Sequence, residues 1–161
     1  MEYVLHPRSE IDARIKRLQD RMGELNGAIL FESTDLGYFS GTAQEGLIYI
    51  PRDGLPTLMI KKSLERARQE SPLTVQPQRS LKTLKKDLDL TSGVRIGLEL
   101  DVLPYNNYAR LQKILGDDVL FSDISENIKH IRSVKSDFEI RLIREAARVL
   151  DAGIASVPDH L

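Results

Sequence analysis

Metal-activated hydrolysis needs several carboxylates, and usually a histidine, converging on one or two ions. This sequence has three histidines, His6, His130 and His160. None belongs to a His-x-x-x-His pattern that would place two ligands on one helix face. Glu126 lies four residues before His130, where the two could form a charge-assisted pair, and His130 reads as a surface or packing residue. Metal ligation by this chain alone is not expected. Nucleophilic catalysis has no better foothold, because cysteine is absent and no Gly-x-Ser-x-Gly elbow occurs. Phosphate cradles are missing too: Gly93 and Gly97 lie outside any Gly-x-Gly-x-x-Gly pattern, and no Gly-Lys-Ser/Thr occurs. Gly97 reads as a close-packing or bending residue within a strand.

The turn from Leu36 to Glu45 is the best candidate for contact with a small molecule. Tyr38 and Phe39 offer aromatic surface, Gly41 permits unusual backbone angles, and Thr42, Gln44 and Glu45 could fringe a mouth. The alternative is that Tyr38 and Phe39 are buried under a sheet edge.

The elements that must position these residues alternate between the two periodicities. Ile11, Ile15, Leu18, Met22 and Leu25 share one face of a first helix, opened by Pro7 or Ser9 and closed at Asn26-Gly27. Gly27 to Phe31 is a short apolar run bounded by turns, and reads as a buried central strand. A helical turn over Thr34 to Phe39 follows. Strands at Leu47–Ile50 and Leu58–Ile60 flank Pro51-Arg52-Asp53-Gly54, a hairpin signal. Ser63 caps a helix through Glu70, Leu73 to Val75 is a brief strand, and Leu81, Leu84 and Leu88 mark a short helix. Val94–Leu98 and Val119–Phe121 are further strands around a helix that begins at Pro104, as its first residue, and ends at Gly116. The segment from Ile131 reads as one long helix to the end of the chain. In it Ser136 and Glu139 form a capping box, and Phe138, Leu142, Ala146, Val149, Leu150, Gly153 and Val157 form an apolar stripe that breaks at Pro158. Phe138, Leu142 and Val149 are expected to pack on the preceding domain, with the segment beyond Asp151 exposed or borrowed by a neighbouring copy.

A chain of 161 residues, 41% hydrophobic and 29% charged, suits one globular domain, or one domain plus a helical extension. Its net charge of −1 steers neither nucleic acid nor acidic ligands. Arg79, Lys82, Lys85 and Lys86 are followed at once by Asp87 and Asp89 and read as a solvated face. No apolar run approaches the roughly 20 residues of a membrane span. The start carries no secretory signal, so a cytoplasmic home is expected and no membrane or nucleic-acid partner. The fold class is α/β: a mixed sheet of about five or six strands, with helices on both faces in a three-layer arrangement.

Three segments carry a family resemblance. Ile131 to Ala147, IRSVKSDFEIRLIREAA, resembles the hinge helix of the creatinase / Xaa-Pro peptidase family. In that hinge Arg132, Lys135 and Glu139 match, with Ile140, Ile143, Ala146 and Ala147. Ser33 to Gly41, STDLGYFSG, with Glu45 to Pro51 behind it, resembles the family's Tyr-Phe-(Thr/Ser)-Gly turn and following strand. Val94 to Glu99 resembles a later strand. The resemblance implies a ribonuclease H-like N-terminal domain over residues 1–131 and a hinge helix over 132–161. That helix would lead into an absent C-terminal catalytic domain. The missing domain would hold two divalent metal ions, such as manganese, on two Asp, one His and two Glu, and none of these can be matched here.

By the same resemblance the parent would be a metallopeptidase of the aminopeptidase P or prolidase type, cleaving Xaa-Pro bonds as a homodimer. This chain would lack hydrolase activity and serve dimerisation and substrate-pocket shaping. Tyr38, Phe39, Gly41, Thr42, Gln44 and Glu45 would be its pocket or interface contacts. The chain's end at Leu161 is expected to mark an excised domain or a truncated product. Two other readings stay open: a peptide- or protein-interaction module without catalysis, and a creatinase-like amidinohydrolase parent.

Overall fold

The structure, a computed structural model, describes residues 5–156. The chain divides into two units, Met1–Ile131 and Arg132–Leu161.

The first unit is built on a six-stranded sheet: β1 (Gly27–Leu30), β2 (Gly46–Pro51), β3 (Thr57–Ile60), β4 (Val75–Pro77), β5 (Arg95–Leu98) and β6 (Leu120–Asp123), in the order β4-β3-β2-β1-β5-β6. Only β2 runs against its neighbours; β1, β5 and β6 are mutually parallel, and β4 is parallel to β3. Strand β1 is interior and all four of its residues are buried, as its uninterrupted apolar run requires.

Because successive strand side chains point to opposite faces, each strand feeds two cores. Ala28, Leu30, Ile48, Ile50, Leu58 and Ile60 meet Ile11, Ile15, Leu18, Leu36, Phe39 and Ile128 on one side. Ile29, Leu47, Met59, Ile96 and Leu98 meet Leu84, Leu88, Leu111 and Leu115 on the other. Helices α1 (Arg8–Gln19), α2 (Ser33–Ser40) and α6 (Ser125–Ser133) thus cover one face. Helices α4 (Leu84–Asp87) and α5 (Tyr105–Leu115) cover the other, giving the three-layer α/β arrangement. Helix α3 (Leu64–Glu70) buries Ala67 beside β4, and a 3-10 turn, Leu81–Thr83, precedes α4.

Several boundaries differ from the sequence reading. Helix α1 stops at Gln19, because the chain turns at Asp20 to Gly23; Met22 is still buried, but from that turn. Ser63 precedes α3 in a left-handed conformation (φ 57°), and its side chain makes no capping bond. Pro104 is the cap of α5 rather than its first residue. The brief strand expected at Leu73–Val75 lies at Val75–Pro77, an edge position that tolerates Pro77.

The closing helix is also two helices, α6 and α7 (Asp137–Ser156), separated by Val134 to Ser136. Ser136 supplies the break: its Oγ accepts from the Glu139 N–H (3.2 Å) while its own N–H donates to Glu139 Oε2 (3.0 Å). That reciprocal capping box starts a new helix instead of continuing the old one. No described residue of α7 is buried. Phe138 and Leu142 are half-buried, but Val149 is 74% exposed. Ala152 to Ser156 are exposed; Val157 and Pro158 lie outside the described residues. No helix among the described residues is long and apolar enough to cross a membrane.

Candidate functional site

Glu32 opens the region singled out by the sequence. Its carboxylate accepts the N–H groups of Thr34 (2.7 Å) and Asp35 (3.1 Å), capping α2 directly after β1. Burial works to raise this carboxyl, but those bonds, with the Ser33 and Thr34 hydroxyls, hold it below its ordinary range. Helix α2 ends at Gly41, whose left-handed φ of 80° lets its N–H return to the Gly37 carbonyl (2.9 Å).

The residues of this turn separate into a structural set and an outward set. Phe39 is 0% exposed, its ring edge-on to Tyr38 at 5.0 Å, so it belongs to the core and offers no surface to a ligand. Tyr38 is half-buried beneath the Arg14 guanidinium, 4.1 Å from the ring centre. Thr42 is buried, and its hydroxyl donates to Glu70 Oε2 (2.6 Å), which also accepts from the Gln44 amide (3.2 Å). Burial pushes the Glu70 carboxyl up, but the bonds from Thr42, Arg66 and Gln44 outweigh it and keep the group lowered and charged. Gly41 and Gln44 are half-buried, and Glu45 is exposed.

Glu45 faces two lysines. Its carboxylate pairs with Lys61 and lies 3.3 Å from Lys62, and hydrogen bonds from these ammonium groups lower its pKa. With Gly46 and Lys61 it lines one wall of an open cavity of about 430 Å³. The other walls are Phe31, the segment Gln78 to Leu81, and Asn107, Arg110 and Leu111 of α5. Gly46 is required there, because a Cβ on it would sit 2.1 Å from the Met59 carbonyl oxygen.

The sequence reading missed most of this cavity. Lys61 and Arg110 carry no local signal; Arg79 is exposed, as a solvated face requires, and also lines the cavity, while Lys85 pairs with Asp118 (2.7 Å). It also missed Glu99. This carboxylate, 1% exposed, accepts the Phe31 N–H (2.9 Å) and the Glu32 N–H (3.3 Å), locking the end of β5 to the β1–α2 junction. Desolvation pushes its pKa up to about 8 against the pull of those two bonds, and the nearby Asp35 and Glu32 charges push the same way. The one available signal was a glutamate directly following a strand buried from Ile96 to Leu98.

In the hinge, Glu139 closes the capping box, the Lys135 ammonium donates to the Arg132 carbonyl, and Arg132 is half-buried. Glu126 accepts from Lys129 (3.0 Å). Among the described residues no group of three or more His, Asp or Glu is arranged to hold a metal ion, so these residues do not fit a divalent centre. His160 lies outside the described residues.

Known proteins give this architecture a context. The chain is 25% identical over 144 residues to an uncharacterised peptidase, YqhT, of Bacillus subtilis, covering 86% of this chain and 40% of that protein. Its structure is similar to the Xaa-Pro dipeptidase from Bacillus anthracis, with a TM-score of 0.80 at 21% identity over 94% of this chain and 44% of that one. It is also similar to the prolidase from Pyrococcus horikoshii, with a TM-score of 0.78 at 22% identity over 92% and 43%. The Creatinase/Prolidase N-terminal domain from a Streptococcus pyogenes X-Pro dipeptidase matches with a TM-score of 0.62 at 18% identity, over 73% of this chain and 98% of that one. This chain therefore spans less than half the length of the full-length relatives. Residues 14–134 match the family described as the Creatinase/Prolidase N-terminal domain, and the chain belongs to that family.

Proposed function

We propose that the chain is the non-catalytic N-terminal domain of a metal-dependent Xaa-Pro peptidase of the aminopeptidase P or prolidase type. The observation that carries this reading is the family match over residues 14–134, in a chain that spans only 43–44% of the prolidase and dipeptidase chains it resembles. The parent hydrolyses Xaa-Pro bonds with divalent metals held by its C-terminal domain, and works in the cytoplasm as a homodimer. The domain over residues 1–131 contributes to dimerisation and to the substrate pocket, and residues 132–161 hand the chain over to the catalytic domain.

The outward members of the predicted turn suit that role. Gln44 and Glu45 reach the surface, while Phe39 and Thr42 hold the turn in place from beneath. Thr42, Gln44 and Arg66 fix the Glu70 carboxylate, so the turn is preorganised rather than pliable. Any hydrolytic step belongs to residues outside this chain.

Reading the gene beyond the codon for Leu161 tests the assignment. The expected result is a continuing frame that encodes metal ligands in the order Asp, Asp, His, Glu, Glu. A frame that lacks that order removes the peptidase parent and leaves an interaction module.

A further inference from the structure

The cavity between β2, β3 and α5 carries more cationic charge than the fold uses. Three cations line it, Lys61 at the end of β3, Arg79 after β4 and Arg110 in α5, against the single carboxylate of Glu45. That carboxylate is already shared between Lys61 and Lys62. Arg79 and Arg110 have neither an ion pair nor a hydrogen-bonded side-chain partner among the described residues. Two positive charges are thus left over on a chain whose net charge is −1.

The groups around them are donors in fixed places. The Gln78 N–H donates to the Ile60 carbonyl (2.8 Å), which carries the β4 pairing with β3 up to the residue before Arg79, and Arg79 and Lys61 line the same cavity. Ser80 caps the 3-10 turn, its Oγ accepting from the Lys82 N–H (3.1 Å), and its hydroxyl is also a donor by type. Asn107 stands in the first turn of α5, which holds no acidic residue. Phe31, Leu81 and Leu111 add apolar surface, with Leu111 2% exposed at the base. A volume of about 430 Å³ lies within the range of small-molecule sites.

We propose that this cavity is a binding site for a small organic dianion with an apolar body, with Arg79 and Arg110 gripping the anionic group and Phe31, Leu81 and Leu111 packing the body. Paired guanidinium forks are the side chains best suited to phosphate and carboxylate oxygens. The leftover charge faces one concave space rather than a flat surface, which separates this site from dispersed surface lysines. It is independent of the peptidase reading, since it uses no metal and no residue outside this chain.

The test is a titration of the 161-residue chain followed by backbone amide NMR shifts. The probes are phenyl phosphate, phenylsuccinate, inorganic phosphate and benzyl alcohol. The expected result is saturable shifts at Gly46, Ser80, Leu81, Asn107 and Leu111 with either aromatic dianion; which of the two binds tighter identifies a phosphate or a dicarboxylate site. Inorganic phosphate should bind about tenfold more weakly, and benzyl alcohol not at all.

Arg79→Ala with Arg110→Ala should weaken the aromatic dianions by about a hundredfold, roughly tenfold for each guanidinium, without changing the unfolding midpoint. Lys82→Ala, outside the lining, should change nothing. No saturable shift up to about 10 mM, an equal response to benzyl alcohol, or undiminished binding by the double variant would each overturn the proposal.

Discussion

Replacing Glu99 by glutamine should make the fold more stable in mild alkali and leave it nearly unchanged in mild acid. The carboxyl titrates near 4.5 when solvated and at about 8 in the fold, where burial disfavours its charge. Between those values the folded chain binds more protons than the unfolded one, so this group's stabilisation is complete below pH 4.5 and is lost as pH rises. The slope is about 1.4 kcal/mol per pH unit, about 3 kcal/mol lost by neutrality and on the order of 5 kcal/mol by the end of the window. Asp35 and Glu32 face the same carboxyl and add repulsion once it ionises. Glu32, Glu70 and Asp123 have lowered pKa values and act in more acidic solution, while Lys16 and Lys129 act only at strongly alkaline pH.

Glutamine keeps a carbonyl oxygen for the Phe31 and Glu32 N–H groups and removes the ionisation. Urea unfolding of both proteins at a series of pH values reads the effect. The curves should lie close together near pH 5 and separate steadily, with the glutamine variant ahead by several kcal/mol at pH 9. Parallel curves, or a wild-type advantage that grows with pH, would show that the Glu99 carboxyl is already charged in the fold.

Arg14→Ala should destabilise the fold by about 3–5 kcal/mol, because Glu10 and the Tyr38 carbonyl lose a buried donor (2.9 and 2.8 Å); a urea midpoint measures it. Gly46→Ala should cost at least about 3 kcal/mol, since the added Cβ meets the Met59 carbonyl of the paired strand; thermal unfolding compared with Gly153→Ala, where nothing lies within 4 Å, separates the clash from a general effect. Ser136→Ala should weaken the start of α7 by about 1 kcal/mol and speed amide exchange at Glu139, leaving exchange in β1 unchanged.

The fold was legible where one periodicity ruled. The run Gly27 to Phe31 gave a central strand, and the Pro51–Gly54 turn gave the hairpin of β2 and β3, because each rests on local residue preferences. Gly97 read correctly as a close-packing residue: a Cβ there would lie 3.0 Å from Leu25 and 3.1 Å from Ile124. Boundaries failed where tertiary contact outvoted the pattern. The apolar spacing of α1 runs on to Leu25, but Met22 and Leu25 reach the core from a turn. The pattern from Ile131 onward looked continuous because both α6 and α7 are amphipathic, and the Ser136 capping box that was recognised is itself what divides them.

The cavity was not legible. Glu45, Lys61, Arg79 and Arg110 come from four separate segments, and only the β4–β3 and β2–β3 pairings bring the first three together. Arg14 and Glu99 were hidden for a related reason, since a charged residue in a helix or after a strand reads as solvent-facing until its buried partners are known.

The peptidase assignment is tested most directly by assaying the full gene product and the 161-residue chain side by side on an Xaa-Pro dipeptide, with and without Mn²⁺. The account predicts metal-dependent release of proline by the full product and none by this chain. Proline release by the 161-residue chain, or its absence from the metal-loaded full product, would contradict it.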